Sequence, residues 1–314
     1  VTLSTPWSRA MGVDVPIVNA PMGGAAGGAL AAAVSRAGGL GMIGMGSSAT
    51  AEQLSRELAV LSGLDRPFGI GLVHWVASQR PDLLETAIAA RPALLSVSFG
   101  DEWSWVRRAH GAGVAVAAQV ADLSAARLAD DAGVDVIVAR GAEGGGHGEP
   151  RIGTLPLLAE VLDEVSVPVL AAGGIASGRG LAAVLAAGAS GAWLGTVFST
   201  CPEASTAPAA CEVLLSAGAD STATTRVFDV AQGFAWPATL PERVLCNDFL
   251  ARYGEGDVDE SAKAELAAGV AAGDYRVAPV NAGQGVGMVR APKPAADVIA
   301  RLCAEAEHLL RRWP

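Results

Sequence analysis

One stretch of this chain concentrates groups able to do chemistry: Arg140-Gly141-Ala142-Glu143-Gly144-Gly145-Gly146-His147-Gly148. Imidazole trades protons near neutral pH, and flanking glycines let the backbone approach a flat ligand closely. His147 is therefore the candidate catalytic acid or base. Two further glycine turns, Gly173-Gly174 and Gly195-Thr196, each end an apolar run and lead toward a helical pattern. Backbone N–H groups at helix starts attract an anion such as a phosphate, and the Thr196 hydroxyl adds a donor. The blander reading is that these glycines only make tight turns. His74, just after an apolar run, is a weaker candidate, and His110 and His308 fall on or beside outer helical patterns as solvated residues.

Elements that could position these residues alternate along the chain. Short, unalternating apolar runs predict strands at 16–20, 40–45, 68–72, 94–99, 114–119, 134–139, 167–171 and 192–194, the pattern of strands covered on both faces. Helical patterns lie between them at 28–37, 51–61, 81–90, 102–109, 123–131, 155–165 and 177–186. Thr50 and Asp122 suit N-caps, and Gly38, Gly111, Gly133 and Gly188 suit helix ends. Eight strands spaced roughly 25 residues apart with helices between them predict a parallel TIM (β/α)8 barrel, with an open doubly wound sheet as the alternative. In a barrel the loops after the strands build the active site, and phosphates commonly sit after the seventh and eighth. After Thr200 the pattern changes to chain richer in Thr, Pro and charge. Residues 204–279 are expected as a small, mostly helical inserted lid or substrate domain, with 1–203 and 280–314 forming the barrel. The 295–312 pattern supplies the eighth outer helix.

Composition excludes several functions. The chain has 314 residues, is 51% hydrophobic and 17% charged, and carries a net charge of −10. Without a basic block, nucleic acid is a poor partner. Cys201, Cys211, Cys246 and Cys303 lie far apart, which suggests neither zinc nor a disulfide framework and fits a reducing cytoplasm. The uncharged runs 15–35 and 180–202 are long enough to span a bilayer but are broken by Pro16, Pro21 and repeated glycines, so no membrane span is expected. Gly39-Leu40-Gly41-Met42-Ile43-Gly44 matches GxGxxG, yet it follows a helix and runs through a strand, the reverse of a dinucleotide-binding context. Gly283-Gln284-Gly285-Val286-Gly287 reads as a loop touching the barrel mouth.

Five segments together resemble the nitronate monooxygenase family, formerly called 2-nitropropane dioxygenases. They are Asn19-Ala20-Pro21-Met22, Gly141 to Gly148, Ala171 to Ile175, Gly195-Thr196-Val197-Phe198 with Pro202-Glu203-Ala204, and Ala282 to Gly287, in register over nearly the whole chain. The resemblance implies a barrel holding FMN, with the insertion over the flavin. His147 matches the family's catalytic histidine. FMN contacts are implied for Ala20, Pro21, Met22, Gly71, Gln119, Arg140, Gly145, Gly146, Gly173, Gly174, Trp193, Leu194, Gly195, Thr196 and Gln284. In that chemistry an alkyl nitronate gives an electron to FMN, reduced flavin reacts with O2, and the products are a carbonyl compound and nitrite. Gly71, Arg140 and Trp193 depart from residues that many members carry as Asn, Gln and Gln, which removes one expected ring hydrogen bond and adds a cation. The same architecture resembles FMN-type enoyl-acyl-carrier-protein reductases and NADH-dependent quinone reductases. A barrel binding a phosphorylated metabolite without redox chemistry is a third reading. The expected partners are a small-molecule substrate and O2, and the Ala-rich outer helices permit packing of a second subunit.

Overall fold

Each predicted apolar run forms a strand, and the strands assemble in parallel. In the computed structural model, which describes residues 3–254 and 258–312, the barrel strands are β1 (Ile17–Asn19), β2 (Gly41–Met45), β3 (Phe68–Val73), β4 (Leu94–Ser98), β5 (Ala115–Val120), β6 (Val136–Arg140), β8 (Val169–Ala172) and β9 (Gly191–Leu194). A two-residue strand, β7 (Gly146–His147), lies in the loop after β6. The eight are hydrogen-bonded in the order β1-β9-β8-β6-β5-β4-β3-β2, all parallel.

The ends of this sheet meet at a seam where Val18 on β1 bridges Leu40, the residue just before β2. A side chain completes the closure: the Asn19 amide donates to the Met42 carbonyl at 2.9 Å and accepts from the Met42 N–H at 2.8 Å. Asn19 thus imitates one more ladder residue, and it is fully buried.

Two apolar layers follow from strands covered on both faces. Val18, Met42, Leu94, Val138, Leu170 and Trp193 fill the barrel interior, and Trp7 from the short helix Pro6–Ala10 joins them. A larger cluster packs the outer strand faces against the helices. The helix caps form as the residue types dictate. Thr50 Oγ1 accepts from Gln53 N–H at 3.1 Å, and Gln53 Oε1 accepts from Thr50 N–H at 3.0 Å. Asp122 accepts from Ala125 N–H at 2.8 Å. One helix end differs from expectation: Gly111 lies inside helix Ser104–Gly111, and Gly113, with φ +74°, takes the left-handed turn. Helix Ala295–Leu310 packs against Gly178–Ala186 and Gly28–Arg36, closing the outer ring. Among the described residues, no helix is long and apolar enough to cross a membrane.

After β9 and the short helix Thr196–Ser199, the chain forms helices Pro208–Ser216, Val227–Gln232, Asp248–Tyr253 and Glu260–Ala272. It also forms two strands that the sequence reading did not anticipate, β10 (Thr222–Thr225) and β11 (Glu242–Leu245). Their order is β10-β11-β7, antiparallel, so β11 adds to the barrel loop that carries His147. Val227, Phe228, Val244, Phe249, Ala262 and Leu266 give this segment its own small core.

Candidate active site

A cavity of about 780 Å³ opens where the barrel strands end. Thirteen of the sixteen residues singled out from sequence line it: Ala20, Pro21 and Met22 after β1, Gln119 on β5, Arg140 on β6, Gly145, Gly146 and His147 in the following loop, Gly173 and Gly174 after β8, Trp193 on β9, and Gly195 with Thr196. The other three are placed elsewhere. Leu194 is buried, and its carbonyl accepts from Ala20 N–H at 2.7 Å. Gln284 begins a 3-10 turn and donates its N–H to the Glu143 carbonyl at 2.9 Å, while its neighbours Gly283 and Gly285 line the cavity. Gly71 sits behind Pro21, so close that a Cβ there would stand 2.2 Å from Pro21 Cγ. An asparagine would therefore displace the Pro21 ring before reaching any ligand. The GxGxxG segment is a packed strand, with a Cβ on Gly41 only 1.8 Å from the Ala31 carbonyl oxygen. Outside the cavity lining, His74 opens helix His74–Gln79, and His110 pairs with Asp135 at 2.8 Å on the surface.

The corner formed by Gly174, Gly195 and Thr196 presents backbone and a hydroxyl. Thr196 is the first residue of a helix, so its N–H has no partner within that helix. Its Oγ1 accepts from Gly283 N–H at 2.9 Å, which leaves the hydroxyl proton free to donate outward. Gly174 holds φ +68°, a conformation that side chains disfavour. Beside it, Thr154 is clasped by Glu143, which accepts from its N–H at 2.9 Å and its hydroxyl at 2.8 Å. This donor set suits a phosphate, and the surfaces of Ala20-Pro21-Met22, Gln119 and Trp193 suit a flat ring.

Arg140 acts first on its own loop. It is 6% exposed, and its Nη2 donates to the carbonyls of Gly144, Gly145 and Gly146 at 2.8, 3.2 and 3.0 Å. Burial, and then the Arg243 guanidinium, pull its pKa down to about 10, so it stays a cation at neutral pH. The glycines that sequence reasoning assigned to ligand approach are thus also the residues whose carbonyls wrap this cation.

His147 is held from several sides, mostly by residues that sequence reasoning missed. Its backbone pairs with Glu242 on β11. Its Nε2 lies 2.9 and 3.1 Å from the two carboxylate oxygens of Asp229, itself 4% exposed. Trp236 stacks on the imidazole face, with ring centroids 3.5 Å apart and planes inclined by 6°. The Trp236 indole N–H donates to Ser47 Oγ at 2.9 Å across the cavity mouth. Phe99 and Trp75 meet Trp236 edge-on at 5.2 and 5.9 Å. Phe99 follows β4 at φ +74°, a strained position for an aromatic residue at the rim. Glu242, also 4% exposed, has its carboxyl pushed up to about 8 by burial and then by Asp229. The ligand atoms of His147, Asp229 and Glu242 lie within 4.8 Å of one another. The usable sequence signal for Asp229 was a single acid among Val227, Phe228 and Val230.

The nitronate monooxygenase family model matches residues 4–305. The chain belongs to the nitronate monooxygenase family. A nitronate monooxygenase of Pseudomonas aeruginosa is 32% identical to it, over 95% of this chain and 98% of its own length. Among solved structures, FabK from Thermotoga maritima aligns with a TM-score of 0.87 at 30% identity, covering 99% of this chain and 98% of its own. A nitroalkane oxidase from Streptomyces ansochromogenes aligns at 0.83 with 32% identity, covering 98% and 100%. The protein is accordingly an oxidoreductase of a flavin-dependent family, built on that family's barrel.

Proposed function

We propose that this nitronate monooxygenase relative holds FMN and uses O2 to convert alkyl nitronates, and the nitroalkanes that yield them, to a carbonyl compound and nitrite. Two nitronates and one O2 balance two carbonyls and two nitrites. The observation that carries this reading is His147 at the glycine-lined cavity, one nitrogen fixed on Asp229 and the other left to whatever occupies the space. The residues fit the cofactor: the Gly174, Gly195 and Thr196 corner would hold its phosphate, and Ala20, Pro21, Met22, Gln119, Arg140 and Trp193 would border its ring. When bound, FMN supplies the electron acceptance and the reaction with O2 that no side chain here provides.

His147 takes the α-proton of a neutral nitroalkane, and the imidazolium it becomes holds the nitronate just formed. Arg140 keeps a positive charge beside the loop where that anion forms. The segment 204–279 acts as a lid: its Trp236, with Phe99 of the loop after β4 and Val280 just past the segment, brings hydrocarbon to the mouth and keeps bulk water from the nitronate carbon.

Anaerobic mixing with propyl-2-nitronate tests the reading. Bleaching of the flavin absorbance, nitrite on admitting air, and loss of nitroalkane turnover in His147→Ala are expected. The likeness to FabK sets the contrary outcome, since bleaching by NADH or NADPH alone would make the protein a nicotinamide-driven reductase of an enoyl or quinone substrate.

A further inference from the structure

We infer that Asp229 is the positioning residue that fixes which nitrogen of His147 meets the substrate, making Nδ1 the proton acceptor for neutral nitroalkanes and leaving preformed nitronates indifferent to it. The inference rests on the nitronate reading for its substrates, but its structural half stands on geometry alone.

A neutral imidazole carries one N–H and one lone pair, and neighbours decide which nitrogen has which. Nε2 faces both oxygens of Asp229. At 2.9 and 3.1 Å both oxygens are within reach of a single N–H, the arrangement of a carboxylate accepting from the ring. Nε2 therefore keeps its hydrogen. Among the described residues His147 has no other side-chain hydrogen bond, so the Nδ1 lone pair is the one left to the cavity.

Exchanging the two nitrogens would need the ring to turn over. Trp236 blocks this by stacking on its face, and the β7–β11 ladder fixes the backbone beneath it. Backbone, ring face and nitrogen are thus all set by the inserted segment.

The chemical consequence separates two substrates. With a nitroalkane, the α C–H bond breaks, its electron pair enters the C=N bond of the nitronate, negative charge moves to the nitro oxygens, and the proton bonds to Nδ1. The imidazolium so formed lies against Asp229, which stabilises it as the carboxylate of a catalytic triad does. A preformed nitronate has already lost that proton and makes no such demand.

The test compares nitroethane with ethyl nitronate in the FMN-loaded wild type, Asp229→Asn and Asp229→Glu. An amide can donate to Nε2 and drive the hydrogen to Nδ1, removing the lone pair from the working nitrogen. In Asp229→Asn, kcat/KM for nitroethane should fall about 100-fold or more, ethyl nitronate should change by less than about threefold, and Asp229→Glu should recover part of the loss. Equal losses on both substrates, or none on either, would overturn the inference. A second readout needs no turnover: 15N NMR of histidine-labelled protein, with the His147 signals assigned by their absence in His147→Ala. The wild type should show a protonated Nε2 and an unprotonated Nδ1, and Asp229→Asn should lose that preference. An Nδ1–H tautomer in the wild type would refute the assignment. A wild type that turns over neither substrate would sink the nitronate reading, while the NMR result would still decide the tautomer.

Discussion

The barrel and the inserted segment contribute to one site by different means. The barrel offers main chain: Gly174 and Gly195 line the cavity without side chains, and interior side chains such as Val18, Met42 and Leu170 are occupied in packing. The segment contributes side chains: Asp229 and Trp236 meet His147 directly, and the Glu242 carboxyl lies within 4.8 Å of it. Backbone donors in a rigid barrel hold a ligand without tuning it. Side chains on the segment after β9 can change the chemistry while the barrel backbone stays as it is.

The largest test of this division is His147→Ala. Nitroalkane kcat/KM should fall by about 10²–10⁴, while flavin content, read from visible absorbance, stays near wild type because the cradle is barrel backbone. Parallel loss of flavin would break the comparison.

Glu242→Gln should come next. The folded protein holds this proton up to about pH 8, whereas an ordinary carboxyl releases it near 4.5. Between those values the unfolded chain binds fewer protons, so stability falls as pH rises, by up to about 1.4 kcal/mol per pH unit. Urea unfolding of Glu242→Gln at pH 5 and pH 8 should show that slope flattened, with a gain of a few kcal/mol at the higher pH. An unchanged slope would mean that the burial of Glu242 costs the fold nothing.

A barrel change of intermediate size is Gly71→Ala. Its Cβ meets Pro21 backed by a packed interior, so a loss of about 1–3 kcal/mol in chemical unfolding is expected. FMN should also bind more weakly as Pro21 shifts toward the cavity. Unaltered stability would show the wall to be looser than its packing indicates.

The smallest effect should come from Trp236→Phe, which keeps an aromatic face on His147 and loses the bond to Ser47. About 0.5–1.5 kcal/mol is expected, read as a drop of a few degrees in Tm. A larger loss than that of Gly71→Ala would shift structural weight from barrel to segment.

The same contrast explains what the sequence made legible. Strands buried on both faces must be continuous apolar runs, and each is followed by local turn chemistry, so Leu94–Ser98 and Val136–Arg140 could be read directly and the rim residues counted from them. Contacts that depend on distant pairing could not. His147 and Asp229 are 82 residues apart, and Trp236 and Ser47 are 189 apart. β10 and β11 were missed because the first is a run of threonines around one alanine and the second mixes Glu242 and Arg243 with apolar residues, so neither carries a clear period. Arg140 was visible as an unusual cation at the rim, but only the folded loop shows its guanidinium engaged by three carbonyls. The Asn19 seam had no local signal, since an amide that completes a barrel reads in sequence as any buried polar residue.

Thr196 belongs to two equilibria at once. Its oxygen receives the N–H of Gly283, where the chain has returned to the barrel after the segment, and its hydroxyl, at the cavity lining, remains able to donate to a phosphate there. If FMN binds here as proposed, its occupancy and the docking of the segment would be linked, each shifting the other by the same factor. Raising free FMN would slow cleavage of the segment by an added protease, and loosening the segment would raise the dissociation constant of the cofactor in proportion.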